Sequence, residues 1–134
     1  MSATRLRSVN EPVLDSSALL ALLLGEPGSE TVKAVLPGAL LSAVNLAEVI
    51  SKLCERGMPA DEARAAIEAT GVRIVDFDID QACLSGELRP VTRSAGLSLG
   101  DRACLALARL RQLPAMTADT PWRDLKGFEV IFIR

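Results

Sequence analysis

Short apolar runs alternate with longer amphipathic stretches along nearly the whole chain. Pro12-Val13-Leu14 ends at Asp15 and reads as a strand. Ser16 to Leu24 reads as a helix stopped by Gly25 and Pro27. Ser29 to Leu36 is a weaker helix, closed by Pro37-Gly38, and Ala39 to Val44 is the second strand. Asn45 is placed to cap a helix running to about Arg56, with Leu46, Val49, Ile50 and Leu53 along one face and Gly57 as its stop. Pro59 to Thr70 is a further helix, ended by Gly71, and Val72 to Val75 is the third strand. Asp78 to about Ser94 is helical in character, although Pro90 must break or kink it. Ser98 caps a helix to about Gln112. Pro114 to Thr117 is the fourth strand, Pro121–Leu125 a short helical turn, and Val130–Ile133 the last strand.

The strands are short apolar runs rather than clean alternations, as expected for strands buried on both faces. Their alternation with helices predicts an α/β fold, a parallel sheet covered by helices on each side. A length of 134 residues suits a single domain, here residues 11–134, behind a polar arm over residues 1–10. Arg5 and Arg7 ahead of the run Ala18–Leu24 faintly imitate a signal peptide. Glu11 and Asp15 interrupt that approach, no A-x-A cleavage site follows, and the apolar run is too short to cross a bilayer. The segment reads as a buried helix of a cytoplasmic protein without a membrane partner. Leu19, Leu20, Leu22, Leu23 and Leu24 almost surround that helix with apolar groups. Any excess over core burial suits a dimer surface or a groove for a partner helix.

Composition narrows the chemistry more than the fold. The chain has no His, which removes His-based ribonuclease chemistry, the Ser-His-Asp triad and nearly all catalytic zinc sites. Aromatics are 3% and Tyr is absent, which argues against modules that stack bases on aromatic rings. A net charge of −2 argues against a protein that only holds nucleic acid. It leaves room for a nuclease whose bound cations reverse the field at the site. Cys54, Cys83 and Cys104 form no CxxC pair and read as small buried apolar residues in a reducing compartment.

In an open parallel sheet, ligands bind at the carboxyl ends of the strands. Asp15 directly follows the first strand, and Asp119 follows Ala115-Met116 of the fourth. Glu48 and Asp101 are read on the first turns of the helices after the second strand and before the fourth. Each acid alone has a plain explanation. Asp15 can cap its helix, Asn45/Glu48 and Ser98/Asp101 have capping-box spacing, and Asp119 can hold a turn. Together, four acids at one end of one sheet would raise each other's pKa and resist ionisation. Helix N-termini relieve this by roughly 0.3–1 kcal/mol each; divalent cations relieve far more. Oxygen donors without His or Cys point to Mg²⁺ or Mn²⁺. Such ions activate a water and stabilise the leaving oxygen of a phosphodiester, which needs no His.

At these residues the sequence resembles the PIN-domain family, and within it the VapC-type toxins of bacterial toxin–antitoxin pairs. The stretches that carry the likeness are Val13-Leu14-Asp15-Ser16-Ser17-Ala18, Ser42-Ala43-Val44-Asn45-Leu46-Ala47-Glu48-Val49, Leu97-Ser98-Leu99-Gly100-Asp101-Arg102-Ala103-Cys104-Leu105-Ala106 and Thr117-Ala118-Asp119-Thr120-Pro121-Trp122. All four occur in family order and at family distances, from about Val13 to Ile133. The resemblance implies a three-layer α/β/α sandwich around a parallel sheet of about five strands. It also implies a Mg²⁺- or Mn²⁺-dependent endoribonuclease that hydrolyses RNA through a metal-bound water, inhibits translation and is neutralised by a cognate antitoxin; a homodimer or a higher toxin–antitoxin assembly is the expected state. Asp15, Glu48, Asp101 and Asp119 take the places of the catalytic metal ligands. Ser16, Ser98 and Thr117 take supporting or substrate-contacting places, and Arg102, beside Asp101, is a further candidate for such a role. An extra acid sometimes accompanies the family's set, and Asp124 is the residue placed for it, although a solvated surface Asp explains it as well. The polar arm over residues 1–10 and Pro12 precede a strand that usually begins nearer the start in the family.

Other residues carry weaker signals. Arg89, Arg93 and Arg102 suit either RNA phosphates or a solvated helix face. Glu48 and Lys52 suit an i,i+4 pair worth about 0.2–0.5 kcal/mol. Trp122 reads better as a plug at the sheet than as a base platform. Asp76, Asp78 and Asp80 lack the Gly and distal Glu of a calcium loop, and Asp78 reads as a helix cap. Two other functions stand beside the nuclease. One is a PIN-like RNA- or protein-binding module without catalysis, against which the retained acid cluster speaks. The other is a phospho-accepting receiver domain, which would call for an acidic pair where Asp15 is instead followed by two serines.

Overall fold

A computed structural model describes residues 11–134, so the expected arm over residues 1–10 lies outside the described residues. The elements run β1 (Val13–Leu14), α1 (Ser16–Leu24), α2 (Ser29–Lys33), β2 (Leu40–Ser42), α3 (Ala43–Glu55), α4 (Ala60–Ala69), β3 (Arg73–Val75), α5 (Ile79–Thr92), α6 (Leu99–Arg111), β4 (Ala115–Thr117) and β5 (Val130–Phe132). Two 3₁₀ turns, Arg93–Ala95 and Thr120–Asp124, follow α5 and β4. The strands form one five-stranded sheet in the order β3-β2-β1-β4-β5, every pair parallel.

The lack of alternation in the strands follows from two cores. Successive side chains of a strand point to opposite faces, and here both faces are covered. Leu14, Leu41 and Met116 enter one core with Ala18 and Leu19 of α1, Val49 and Leu53 of α3, and Ala63 and Ile67 of α4. Val13, Leu40 and Ala115 enter the other, with Leu88 of α5, Cys104, Leu105 and Leu107 of α6, and Trp122. The result is three layers, helix, sheet and helix, as expected. Trp122 is 1% exposed and fills this second core, which is the plugging role read from the sequence. The α1 leucines divide: Leu19 and Leu20 are buried, while Leu22, Leu23 and Leu24 are half-buried against the first core.

Several boundaries differ from the expectations. The second strand ends at Ser42, which caps α3 by accepting from the Val44 N–H (3.1 Å). Asn45 is therefore inside α3 rather than its cap, and Glu48 lies on the second turn. Short apolar pairs such as Ala43-Val44 fit the end of a strand or the start of a helix equally well. Pro90 does not break α5, which continues to Thr92 before tightening into the 3₁₀ turn. Pro90 and Gly86, whose carbonyl loses its intrahelical donor to the proline, are both exposed. The second helix stops at Lys33 instead of Leu36. Of the cysteines only Cys104 is buried; Cys54 and Cys83 are exposed, against the expectation for all three. No helix among the described residues is long and apolar enough to cross a membrane.

The chain lays down β1, β2 and β3 in one direction and then returns to place β4 and β5 on the other side of β1. The order reverses between β1 and β4, and in such sheets the crevice beyond the carboxyl ends of those two strands is the ligand position.

Candidate active site

Asp15 stands at that reversal. Its N–H donates to the Met116 carbonyl (2.8 Å), which locks the end of β1 to β4. The residue is 1% exposed. It occupies the N-cap position of α1, yet its side chain makes no capping bond. Oδ2 instead accepts from the hydroxyls of Ser17 (2.7 Å) and Thr117 (3.0 Å), and Oδ1 is buried with no partner. Capping therefore does not account for Asp15.

The two hydroxyls also receive. Ser17 Oγ accepts from the Ala118 N–H (3.0 Å), and Thr117 Oγ1 accepts from the Asp119 N–H (3.0 Å). Each hydroxyl thus ties the backbone after β4 to the carboxylate after β1. This holds Asp119 beside Asp15, and Asp119 makes no side-chain cap bond to the turn it opens.

Asp101 comes from α6. The capping box is present: Ser98 Oγ accepts from the Asp101 N–H (3.2 Å), and Asp101 Oδ2 accepts from the Ser98 N–H (2.9 Å). Ser98 supports the site by fixing this carboxylate. Glu48 reaches across from α3, where Oε1 accepts from Ser16 Oγ (2.8 Å) and Asn45 Nδ2 (2.9 Å).

Asp15, Asp101 and Asp119 each present a carboxylate oxygen, and these oxygens lie within 4.8 Å of one another. Glu48 is outside that trio, but its charge still reaches Asp101. Burial, opposed by the Ser17 hydrogen bond and reinforced by Asp101 and Asp119, pushes the Asp15 carboxyl up to about 7. Burial also raises Asp101 from its ordinary value; the Ser98 bonds oppose this, and Asp119 and Glu48 add to it. The buried Cys104 thiol is raised well above its ordinary value by burial and then by the charges of Asp15, Asp101 and Glu48. In the absence of a cation, the site is one where negative charge is costly.

Of the supporting residues read from the sequence, Ser16, Ser98 and Thr117 each hydrogen-bond one of the acids or its backbone. Arg102 is held between α5 and α6, where Nη1 donates to the Ser85 carbonyl (2.9 Å). Asp124 is exposed on the second 3₁₀ turn and is not among the converging carboxylates. Asp78 caps α5 through the Gln81 N–H (2.9 Å), as expected. Sequence reasoning missed Ser17, a hydroxyl indistinguishable from its neighbour Ser16. It also misjudged Asn45, although a signal existed: Asn45, Val49 and Leu53 share the buried stripe of α3, where a polar residue is out of place.

A family model for the PIN domain matches residues 13–127. A VapC ribonuclease of Mycobacterium bovis is 28% identical over 114 residues, 78% of this chain and 87% of the relative. Ribonuclease VapC42 of Mycobacterium tuberculosis matches with the same identity and coverage. Among solved structures, a toxin–antitoxin complex from Klebsiella pneumoniae superposes with a TM-score of 0.73 at 21% identity, over 92% of this chain and 98% of that one. The sarcin–ricin loop cleaving toxin VapC20 of Mycobacterium tuberculosis gives a TM-score of 0.71 at 23% identity, over 88% and 96%. Those two likenesses establish the fold, and the family match spans all four acids. This chain belongs to the PIN-domain family.

Proposed function

We propose that this chain is a Mg²⁺- or Mn²⁺-dependent endoribonuclease and the toxin of a toxin–antitoxin pair. The observation that carries the reading is the convergence of Asp15, Asp101 and Asp119 oxygens within 4.8 Å, with the buried Oδ1 of Asp15 lacking any partner. An orphaned buried carboxylate oxygen among like charges is costly unless a cation completes it. The donor set is all oxygen, which fits a hard divalent ion. Asp15, Asp101 and Asp119 would hold it, with Glu48 as the fourth acid. Bound there, a divalent ion would supply the charge needed to activate a water and stabilise the leaving oxygen of a phosphodiester.

The chain's own residues pre-set this site. Ser17 and Thr117 orient Asp15, Ser98 orients Asp101, and Ser16 and Asn45 orient Glu48. Rigid orientation of ligands by outer hydrogen bonds is what such sites require. The relatives named VapC ribonucleases support RNA as the substrate. Structures of toxin–antitoxin complexes on the same fold support a cognate antitoxin as the partner, and a homodimer belongs to the same reading.

The test is cleavage of labelled RNA with Mg²⁺ or Mn²⁺ and with chelator, for the native chain, Asp15→Asn and Asp119→Asn. Cleavage by the native chain alone, abolished by chelator, is expected. Equal cleavage by all three proteins would sink the site assignment. RNA binding without cleavage under any metal would identify a binding module instead.

A further inference from the structure

Asn45 is completely buried on the inner stripe of α3, in line with the apolar Val49 and Leu53. A buried amide is retained only where its hydrogens are used. Asn45 Nδ2 spends both: it donates to Glu48 Oε1 (2.9 Å) and to the Gly100 carbonyl on the first turn of α6 (3.0 Å). Ser16 Oγ donates to the same Glu48 Oε1 (2.8 Å), so Oε1 takes both donors and Oε2 neither.

A second observation comes from the other helix. Gly100 is buried, but its backbone is not in the left-handed region that would call for glycine. A Cβ at this position would instead overlap the Glu48 carboxyl group. The space a side chain would fill is taken by Glu48. An amide from α3 and a gap in α6 thus converge on one carboxylate.

We propose that Asn45 and Gly100 are positioning residues that seat Glu48 against α6 and leave Oε2 free to serve a divalent cation. The proposal rests on the metal-dependent reading above. Asn45 sets the rotation of the carboxylate by occupying one oxygen. Gly100 sets its depth by leaving room beside Asp101. Neither residue touches substrate; both act through Glu48.

The experiment uses the full chain with Mn²⁺ alone as the calorimetric probe, together with melting temperature and RNA cleavage kinetics. The variants are Asn45→Ala, Gly100→Ala, Glu48→Gln and the double variant Gly100→Ala/Glu48→Gln. Alanine is a better helix former than glycine, and its Cβ displaces only the end of a flexible side chain. The gain in helix propensity offsets part of the cost of parting Glu48 from Asn45 and Ser16, so Gly100→Ala is expected to stay folded with a melting temperature within several degrees of native while weakening Mn²⁺ roughly tenfold, the scale of lost outer-shell support. Its kcat falls more than its KM rises. Asn45→Ala shows the same losses. The double variant is no worse than Glu48→Gln, because Gly100 acts through Glu48.

Native-strength Mn²⁺ binding by Gly100→Ala and Asn45→Ala would overturn the assignment while leaving the nuclease reading intact. A double variant much worse than Glu48→Gln would also overturn it. A native chain that binds no Mn²⁺ would remove both readings together.

Discussion

Replacing Asp15 with Asn removes a buried charge that its surroundings penalise and leaves the side chain's shape almost unchanged. An Asn oxygen can still accept from Ser17 and Thr117, and the amide nitrogen replaces the orphaned Oδ1 beside two carboxylates. In the folded chain Asp15 is raised from 3.8 to about 7. The folded state therefore holds a proton that the unfolded chain releases at lower pH. Linkage fixes the sign: the stabilising contribution of protonated Asp15 is complete below about pH 4 and is lost as pH rises through about 7. At about 1.4 kcal/mol per unit, the shift amounts to about 4 kcal/mol of metal-free stability lost by pH 8. The amide of Asp15→Asn cannot ionise and escapes that loss. Urea unfolding of both proteins in chelator, at pH 5 and pH 8, reads the effect of Asp15 together with its coupling to Asp101 and Asp119, while contributions from distant groups cancel in the difference. The stability of the variant relative to the native chain should grow by about 3 kcal/mol between those pH values. Saturating Mn²⁺ should narrow the gap at pH 8, since a ligand at 100 times its Kd adds about 2.7 kcal/mol to whichever protein binds it. A variant–native difference that stays constant from pH 5 to pH 8 refutes the claim that burial and neighbouring acids penalise the Asp15 charge.

The other predictions concern single contacts. Asp101→Asn keeps an acceptor for the Ser98 N–H, so it should unfold within about 1 kcal/mol of the native chain yet cleave no RNA; a large loss of stability would show the cap argument to be wrong. Ser17→Ala removes a hydroxyl that both donates to Asp15 and accepts from Ala118, and denaturant unfolding in chelator should show a loss of about 1–3 kcal/mol. In the native protein, a thiol reagent should label Cys54 and Cys83 but reach Cys104 only on unfolding; prompt labelling of Cys104 would contradict the packing of the second core.

The parts of this molecule that could be read from its sequence are those where chain direction dictates chemistry. Val13-Leu14-Asp15 and Ala115-Met116-Thr117 are apolar runs that end at polar residues, so a parallel sheet delivers Asp15 and Asp119 to the same end without further information. Capping geometry is local as well, which is why the Ser98–Asp101 box is as expected. The α3 boundary was not legible, because Ala43 and Val44 suit strand and helix alike. The role of Asn45 depends on the Gly100 carbonyl, 55 residues away in sequence. Ser17 matters only through Asp15 and the chain after β4, a contact made by tertiary pairing of β1 with β4. The cysteines went wrong for a similar reason: residue type suggests burial, but the helix face decides it.

Trp122 gives this fold an optical property. The chain has one Trp and no Tyr, so its near-ultraviolet emission comes from a single indole. That ring is 1% exposed, packed into one core with Val13, Leu97 and Cys104, and only three positions beyond Asp119. Indole emission responds to nearby charge as well as to solvent. A cation entering between Asp15, Asp101 and Asp119 would change the local field without unpacking the ring. The unlabelled protein therefore carries a buried indole three residues from Asp119, whose emission reports unfolding directly and would report an ion wherever the changed field reaches the ring.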